Sequence, residues 1–392
     1  MSGDYYITMY QGRIVSALCK NNQLVQISFC EKEQKELTTG TILLGKVLNK
    51  LENIEAVFVE LTPGKRGFLP YSEIVGKIPA SGELIPVQII KDAVKTKEPV
   101  LSMDLSISGK YSVVHCADKQ IRISKKASQK QSKHIREMIA DSCNHYPFGI
   151  ILRTNALQLE NTDALVKELN SLSEKMNHII QYAGSRTAYS VLYRPAPGYI
   201  ERLQDTYTSD YQRIITDNKD IYPILEAYIR NNTPEDRQKL SFFENHSMSL
   251  LNFYKLGEKI EEAFSKNVWL KCGGYLVIEP TESLTAIDVN TGKCIVKKEK
   301  EQTVFTVNLE AAKEIARQLR IRNLSGMILI DFINMKEESH NQELLKALRN
   351  YVAPDPIQTS VIDMTPLGLV EITRKKINKT LREQYHETGS TE

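Results

Sequence analysis

The 392-residue chain has 41% hydrophobic and 25% charged residues, the composition of a folded protein and far from that of a disordered one. That length accommodates two to four domains of about 100–200 residues and a sizeable core without disulfides. A net charge of +3 does not by itself demand a polyanionic partner, and no apolar run reaches the roughly 20 residues of a membrane span.

The N-terminal MSGDYYITMYQGR lacks the apolar centre of a secretory signal. Six cysteines (Cys19, Cys30, Cys116, Cys143, Cys272 and Cys294) are scattered without a CxxC pair. A reduced, cytoplasmic protein with its thiols buried as small hydrophobes is the simplest reading.

In chain order, Tyr5–Met9, Gly12–Leu18 and Leu24–Phe29 read as strands separated by turn-like stretches such as Lys20-Asn21-Asn22. Three strands cannot bury a core alone, so they are expected to join a sheet completed later in the chain. From Gly40 to Ser106 the pattern is all-β, with short apolar runs at 42–48, 56–61, 67–70 and 84–91 that predict a small barrel. Within it, Phe58 and Phe68 accompany Lys65 and Arg66 on adjacent strands. Rings that stack on bases beside cations that meet phosphates suit single-stranded nucleic acid. The competing reading is that both rings fill the barrel core. Lys119, Arg122, Lys125, Lys126, Lys130, Lys133 and Arg136 form a basic stretch, either a phosphate-concentrating patch or a solvated helix face. Helices are expected at 133–142 and 163–183, a strand at 148–153, and mostly helix over 199–264. The last part, 265–392, reads as α/β. Asn308 is read as the N-cap of a helix whose Leu309, Ala312, Ala316 and Leu319 share one face, and Asn323 with Gly326 ends it.

Two apolar runs end in aspartate. Leu284–Ile287 leads to Asp288, and Met327–Ile330 leads to Asp331. Carboxylates at the carboxyl ends of neighbouring buried strands lie where α/β ligand sites form, and two of them suit one magnesium ion. Asn290, two residues past Asp288, would share its side. Taken singly, an aspartate at a strand end more often closes a turn. Arg153-Thr154 follows the run at 148–152, and a guanidinium fork with a hydroxyl can grip a terminal phosphate. That pair alone is commonplace.

The blocks Gly273–Ile278, Glu282–Asn290, Asn308–Arg320, Leu329–Ile333 and Leu367–Glu371, in this order and spacing, resemble the catalytic region of the ribonuclease E/G family. Gly45–Val47, Glu55–Val59 and Arg66–Pro70 are similar to that family's S1 domain. The resemblance implies an α+β multidomain fold. An RNase H-like fold (1–36 and 199–264) would be interrupted by an S1 (OB-fold) β-barrel (37–118) and a 5′-sensor domain (119–198), and a DNase I-like α/β subdomain (265–392) would follow. It further implies an endoribonuclease that cuts single-stranded RNA to 5′-phosphate and 3′-hydroxyl ends, with magnesium held by Asp288 and Asp331 and with Asn290 as a catalytic asparagine. Phe58, Phe68 and Lys97 would hold RNA, and Val113, Arg153 and Thr154 would bind a 5′-monophosphate. Two departures stand out: Asn334 replaces a usual aspartate, and no CPxC zinc-link motif follows the region of Leu381. Any oligomer is therefore expected to form without zinc-link cysteines. The rival readings are a catalytically weak RNA-binding protein of the same fold and a metal-dependent phosphoesterase acting on small molecules.

Overall fold

The computed structural model describes residues 3–388 except 33–36, 94–96, 125–126, 128, 144–145, 246 and 294–299. Lys125, Lys126, Cys294 and the side chain of Cys143 lie outside the described residues. The chain divides into two units, one from 1–32, 205–229 and 235–392, the other from 33–204 and 230–234.

In the second of these units, strands Ile42–Leu51, Ala56–Thr62, Lys65–Pro70, Leu84–Lys91 and Val100–Ser102 close into a ring in the order first, second, third, fifth, fourth, first. This is the five-stranded Greek-key closure of OB-type barrels, and closure leaves few free edges. Alternation sends Leu43, Val47, Val57, Val59, Leu61, Leu69, Val87 and Leu101 inward. Gly67 is required at the close approach of two strands, since a Cβ there would lie 2.7 Å from the Leu101 side chain. A four-stranded sheet of Ser106–Ser108, Ser112–His115, Gly149–Leu152 and Ile121–Ile123 follows. The helix Asp163–Ala183 buries Leu165, Leu169, Leu172, Met176 and Ile179 in the same core as Val114, Ile150 and Leu152.

The other unit holds two sheets. Gly3–Tyr10, Arg13–Lys20 and Gln23–Cys30 form an antiparallel meander, and Tyr211–Thr216 adds in parallel beside the first strand, followed by Leu240–Phe242. The N-terminal strands thus join a sheet completed much later in the chain. The 199–264 stretch is mostly helical, as its pattern predicts, and it also supplies these two strands, which the pattern does not announce. Runs of six and three residues are too short for periodicity to separate strand from helix.

The second sheet orders Asn267–Trp269, Tyr275–Pro280, Leu284–Asn290, Gly326–Asp331, Leu369–Arg374 and Thr359–Met364 side by side. Helices Lys300–Ile321 and Glu338–Val352 cover one face of it, and their Ala311, Ile315, Leu319, Leu344 and Leu348 join Leu276, Ile287, Ile328, Ile330 and Ile372 in one core. The first of these helices starts eight residues before Asn308, so Asn308 is not its N-cap. The reason is tertiary: the fully buried Asn308 amide donates to Ile333 O (2.8 Å) and accepts from Ile333 N (3.1 Å). The expected end does appear, with Asn323 at φ 48° and Gly326 at φ 86° just past Ile321. Among the described residues no helix is long and apolar enough to cross a membrane.

Candidate active site

The strands Leu284–Asn290 and Gly326–Asp331 run parallel, with Asp288 the direct register partner of Asp331. Thr285, Ile287, Val289, Ile328 and Ile330 are buried on the helix-covered face, whereas Asp288 and Asp331 are exposed. A strand alternates its side chains and directly paired residues project to the same side, so both carboxylates stand together on the open face. Asn290 lies one alternation further along. Its Nδ2 donates to Asp288 Oδ2 at 2.7 Å and fixes the orientation of that carboxylate. Immediately beyond Asp331, the two hydrogen bonds between Asn308 and Ile333 hold the chain to the covering helix. Asn334 is exposed close by in sequence.

The donor set at this point is all oxygen. Among the described residues no group of three or more His, Cys, Asp or Glu side chains is arranged to hold a metal. Two exposed carboxylates fit a magnesium ion that keeps most of its water shell.

A second constellation forms in the other unit. Arg153 and Thr154 come directly off the strand Gly149–Leu152, whose Ile151 and Leu152 pair with Val113 and Ser112. Arg153 Nη1 donates to Gly109 O at 2.6 Å, its backbone N–H donates to Tyr111 O, and the Thr154 hydroxyl lies 3.3 Å from that of Ser124. Val113, Arg153 and Thr154 are thus assembled around the 109–112 loop. What shapes this loop is a residue the sequence reading passed over, Glu168. Its buried carboxylate accepts from the backbone N–H groups of Lys110 (2.7 Å), Tyr111 (3.0 Å) and Ser112 (2.8 Å) and from the Ser112 hydroxyl (2.8 Å). Burial pushes the Glu168 carboxyl pKa up, and these donors pull against the shift. A Cβ at Gly109 would collide with Glu168 at 2.4 Å, so glycine is needed there. The available signal was a glutamate inside the apolar stripe Leu165, Leu169, Leu172 and Met176 of an amphipathic helix.

Phe58 and Phe68 are register partners on neighbouring barrel strands, with ring centroids 6.0 Å apart. Both are half-buried and absent from the barrel core, so the core-filling reading fails for them. The Arg66 guanidinium sits 4.7 Å over the Phe58 ring and pairs with Glu98 at 2.8 Å. Lys97 is exposed on the segment that runs into Pro99, whose carbonyl accepts from Phe68 N. The basic stretch is not one continuous face: Arg122 lies on a short strand and pairs with Asp118, whereas Lys133 lies on the following helix, 3.9 Å from Glu137.

A sequence model of the Ribonuclease E/G family matches residues 106–377, more than half of the chain. The chain belongs to the ribonuclease E/G family. It is 28% identical over 378 residues to ribonuclease G of Salmonella typhimurium (strain SL1344), covering 91% of this chain and 77% of that protein. Ribonuclease E of Synechocystis (strain PCC 6803) is 31% identical over 363 residues, 88% of this chain and 53% of the relative. Ribonuclease E of Nostoc (strain PCC 7120) is 29% identical over 393 residues, and the chain spans 57% of its length. The chain thus spans just over half of the ribonuclease E relatives and about three quarters of ribonuclease G. Membership of the ribonuclease E/G family makes it an endoribonuclease. Both the Asp288–Asp331 pair and the Arg153–Thr154 pair fall inside the matched residues, whereas Phe58, Phe68 and Lys97 precede them.

Proposed function

We propose that this chain is a magnesium-dependent endoribonuclease that hydrolyses internal phosphodiesters of single-stranded RNA to 5′-phosphate and 3′-hydroxyl ends, in RNA processing and decay. The carrying observation is the register pairing of Asp288 with Asp331 at the exposed ends of two parallel strands. In this reading these two residues hold the ion. When bound, magnesium neutralises charge on the scissile phosphate and lowers the pKa of a water. Asn290 keeps one Asp288 oxygen engaged through its Nδ2, and its own carbonyl is left to orient the phosphate or the water. Phe58 and Phe68 offer ring faces to bases, with Lys97 as a cation for the phosphates. Arg153 and Thr154, with the Val113 backbone beside them, grip a 5′-monophosphate, so RNA already carrying that end is preferred.

The same reading assigns the N-terminal meander and its later strands (1–36 and 199–264) to an RNase H-like part. It assigns 37–118 to an S1 domain, 119–198 to a 5′-sensor and 265–392 to a DNase I-like part, all working in the cytoplasm. The test is cleavage of a short 5′-monophosphorylated A/U-rich oligonucleotide with magnesium and with a chelator. Cleavage is expected only with the metal. Undiminished cutting in the chelator, or by an Asp288→Ala, Asp331→Ala double variant, overturns the assignment. Binding without any cutting would leave an RNA-binding protein of the same fold.

A further inference from the structure

On the open face of the sheet that carries Asp288 and Asp331, register aligns a row of side chains. Trp269 pairs directly with Tyr275, and Tyr275 pairs directly with Asn290. The adjoining row is Val277, Asp288 and Asp331. Side chains of directly paired residues share a face, so Trp269 and Tyr275 stand on the same side as the two aspartates. The alternate residues Val268, Leu270, Leu276 and Ile278 go to the helix-covered core.

Trp269 is 66% exposed, far from the burial that a large aromatic side chain ordinarily seeks. Its ring centroid lies 5.2 Å from that of the half-buried Tyr275 with the planes inclined at 49°, which leaves an open wedge rather than a closed stack. Adjacent strands are about 4.8 Å apart and alternate residues about 6.8 Å along a strand. The Tyr275 backbone is therefore one strand and one alternation from Asp288, within the reach of a single nucleotide.

Resting on the magnesium site proposed above, we propose that Trp269 and Tyr275 form a nucleobase-stacking subsite for the nucleotide next to the scissile phosphate. Charge selects the occupant. Two carboxylates beside the wedge repel a phosphate wherever a cation does not intervene, whereas a base is uncharged and offers a π-face to the rings. Stacking is tolerant of base identity, so the subsite supplies affinity and alignment with little sequence preference.

Trp269 is the only tryptophan in the chain, and its fluorescence is therefore a private reporter of this subsite. The full-length Asp331→Asn variant, which binds without cutting in this scheme, is titrated with an unlabelled 5′-monophosphorylated oligoribonucleotide in magnesium. Binding is followed in parallel by the anisotropy of a labelled oligonucleotide. Tryptophan emission is expected to be quenched along the same saturation curve. Saturated binding with unchanged emission overturns the proposal. In the cutting enzyme, Trp269→Ala is expected to raise KM on the order of 10-fold, while Trp269→Phe, which keeps a ring, stays within about 3-fold of the parent. A parent-like KM for Trp269→Ala, or Trp269→Ala abolishing self-association in sedimentation without touching KM, also overturns it. Loss of the magnesium assignment would show as metal-independent cleavage, whereas the quench reports the subsite separately.

Discussion

Asp288 and Asp331 are exposed, meet only because two strands align, and owe their juxtaposition to backbone pairing. The loop at 109–112 is held the other way: the buried Glu168 carboxylate, from a helix that starts more than fifty residues later, gathers three amides and a hydroxyl, and Arg153 then bonds the Gly109 carbonyl. In the first region the two carboxylates are exposed side chains outside the core, placed by strand register. In the second, shape depends on one polar group in the core, so loss of that group is expected to cost stability together with the proposed 5′-end recognition. The difference teaches where a substitution separates stability from activity.

The largest effect tests the first half of that contrast. Asp288→Ala is expected to lower kcat on the order of 10³-fold, since metal-assisted charge stabilisation supplies several kcal/mol. The same change should move unfolding stability by less than about 0.5 kcal/mol, as for other exposed positions. A urea melt beside a single-turnover assay checks both, and a large loss of stability would break the contrast. Glu168→Leu should behave oppositely. Stranding three buried N–H groups costs about 3 kcal/mol or more, read as a lower urea midpoint, while the chemical step on a 5′-hydroxyl substrate changes little. Arg153→Ala should fall between the two, reducing the preference for 5′-monophosphate over 5′-hydroxyl RNA about 10-fold, as expected for a charge-assisted hydrogen bond. Equal cutting of both ends by the parent would remove the 5′-end assignment. The smallest effect is expected at Phe58→Ala, which should weaken oligonucleotide binding about 5-fold with an unchanged melting temperature, because the ring lies outside the barrel core.

The same contrast explains what could be read in advance. Strand ends and periodic apolar runs are local signals, and they located four of the five barrel strands, the helix at 163–183 and both aspartates, whereas the three-residue strand Val100–Ser102 went unread. The blocks around Asp288 and Asp331 carried the family resemblance. Register is not local, and no feature of either run alone states that residues 288 and 331 face each other. Asn308 shows the limit most sharply: an asparagine before an amphipathic stretch has the local form of an N-cap, yet its partner is the backbone of Ile333. Glu168 and the strand at 211–216 were missed for the same reason, since their meaning resides in residues distant along the chain.

The parallel alignment of Leu284–Asn290 with Gly326–Asp331 also sets what changes of length this molecule can absorb. The chain between the two strands includes the helix Lys300–Ile321, which packs on the sheet through Ala311, Ile315 and Leu319, so changes of length are tolerated only outside that helix and outside the strands. Deleting one residue inside 327–330 brings Phe332 to the level Asp331 now occupies and turns Asp331 toward the helices, because side chains alternate every residue. Such a chain would retain both carboxylates in its sequence and still lack the side-by-side pair proposed to hold the ion. Counting residues would misjudge it, whereas measuring which strand positions lie abreast would not.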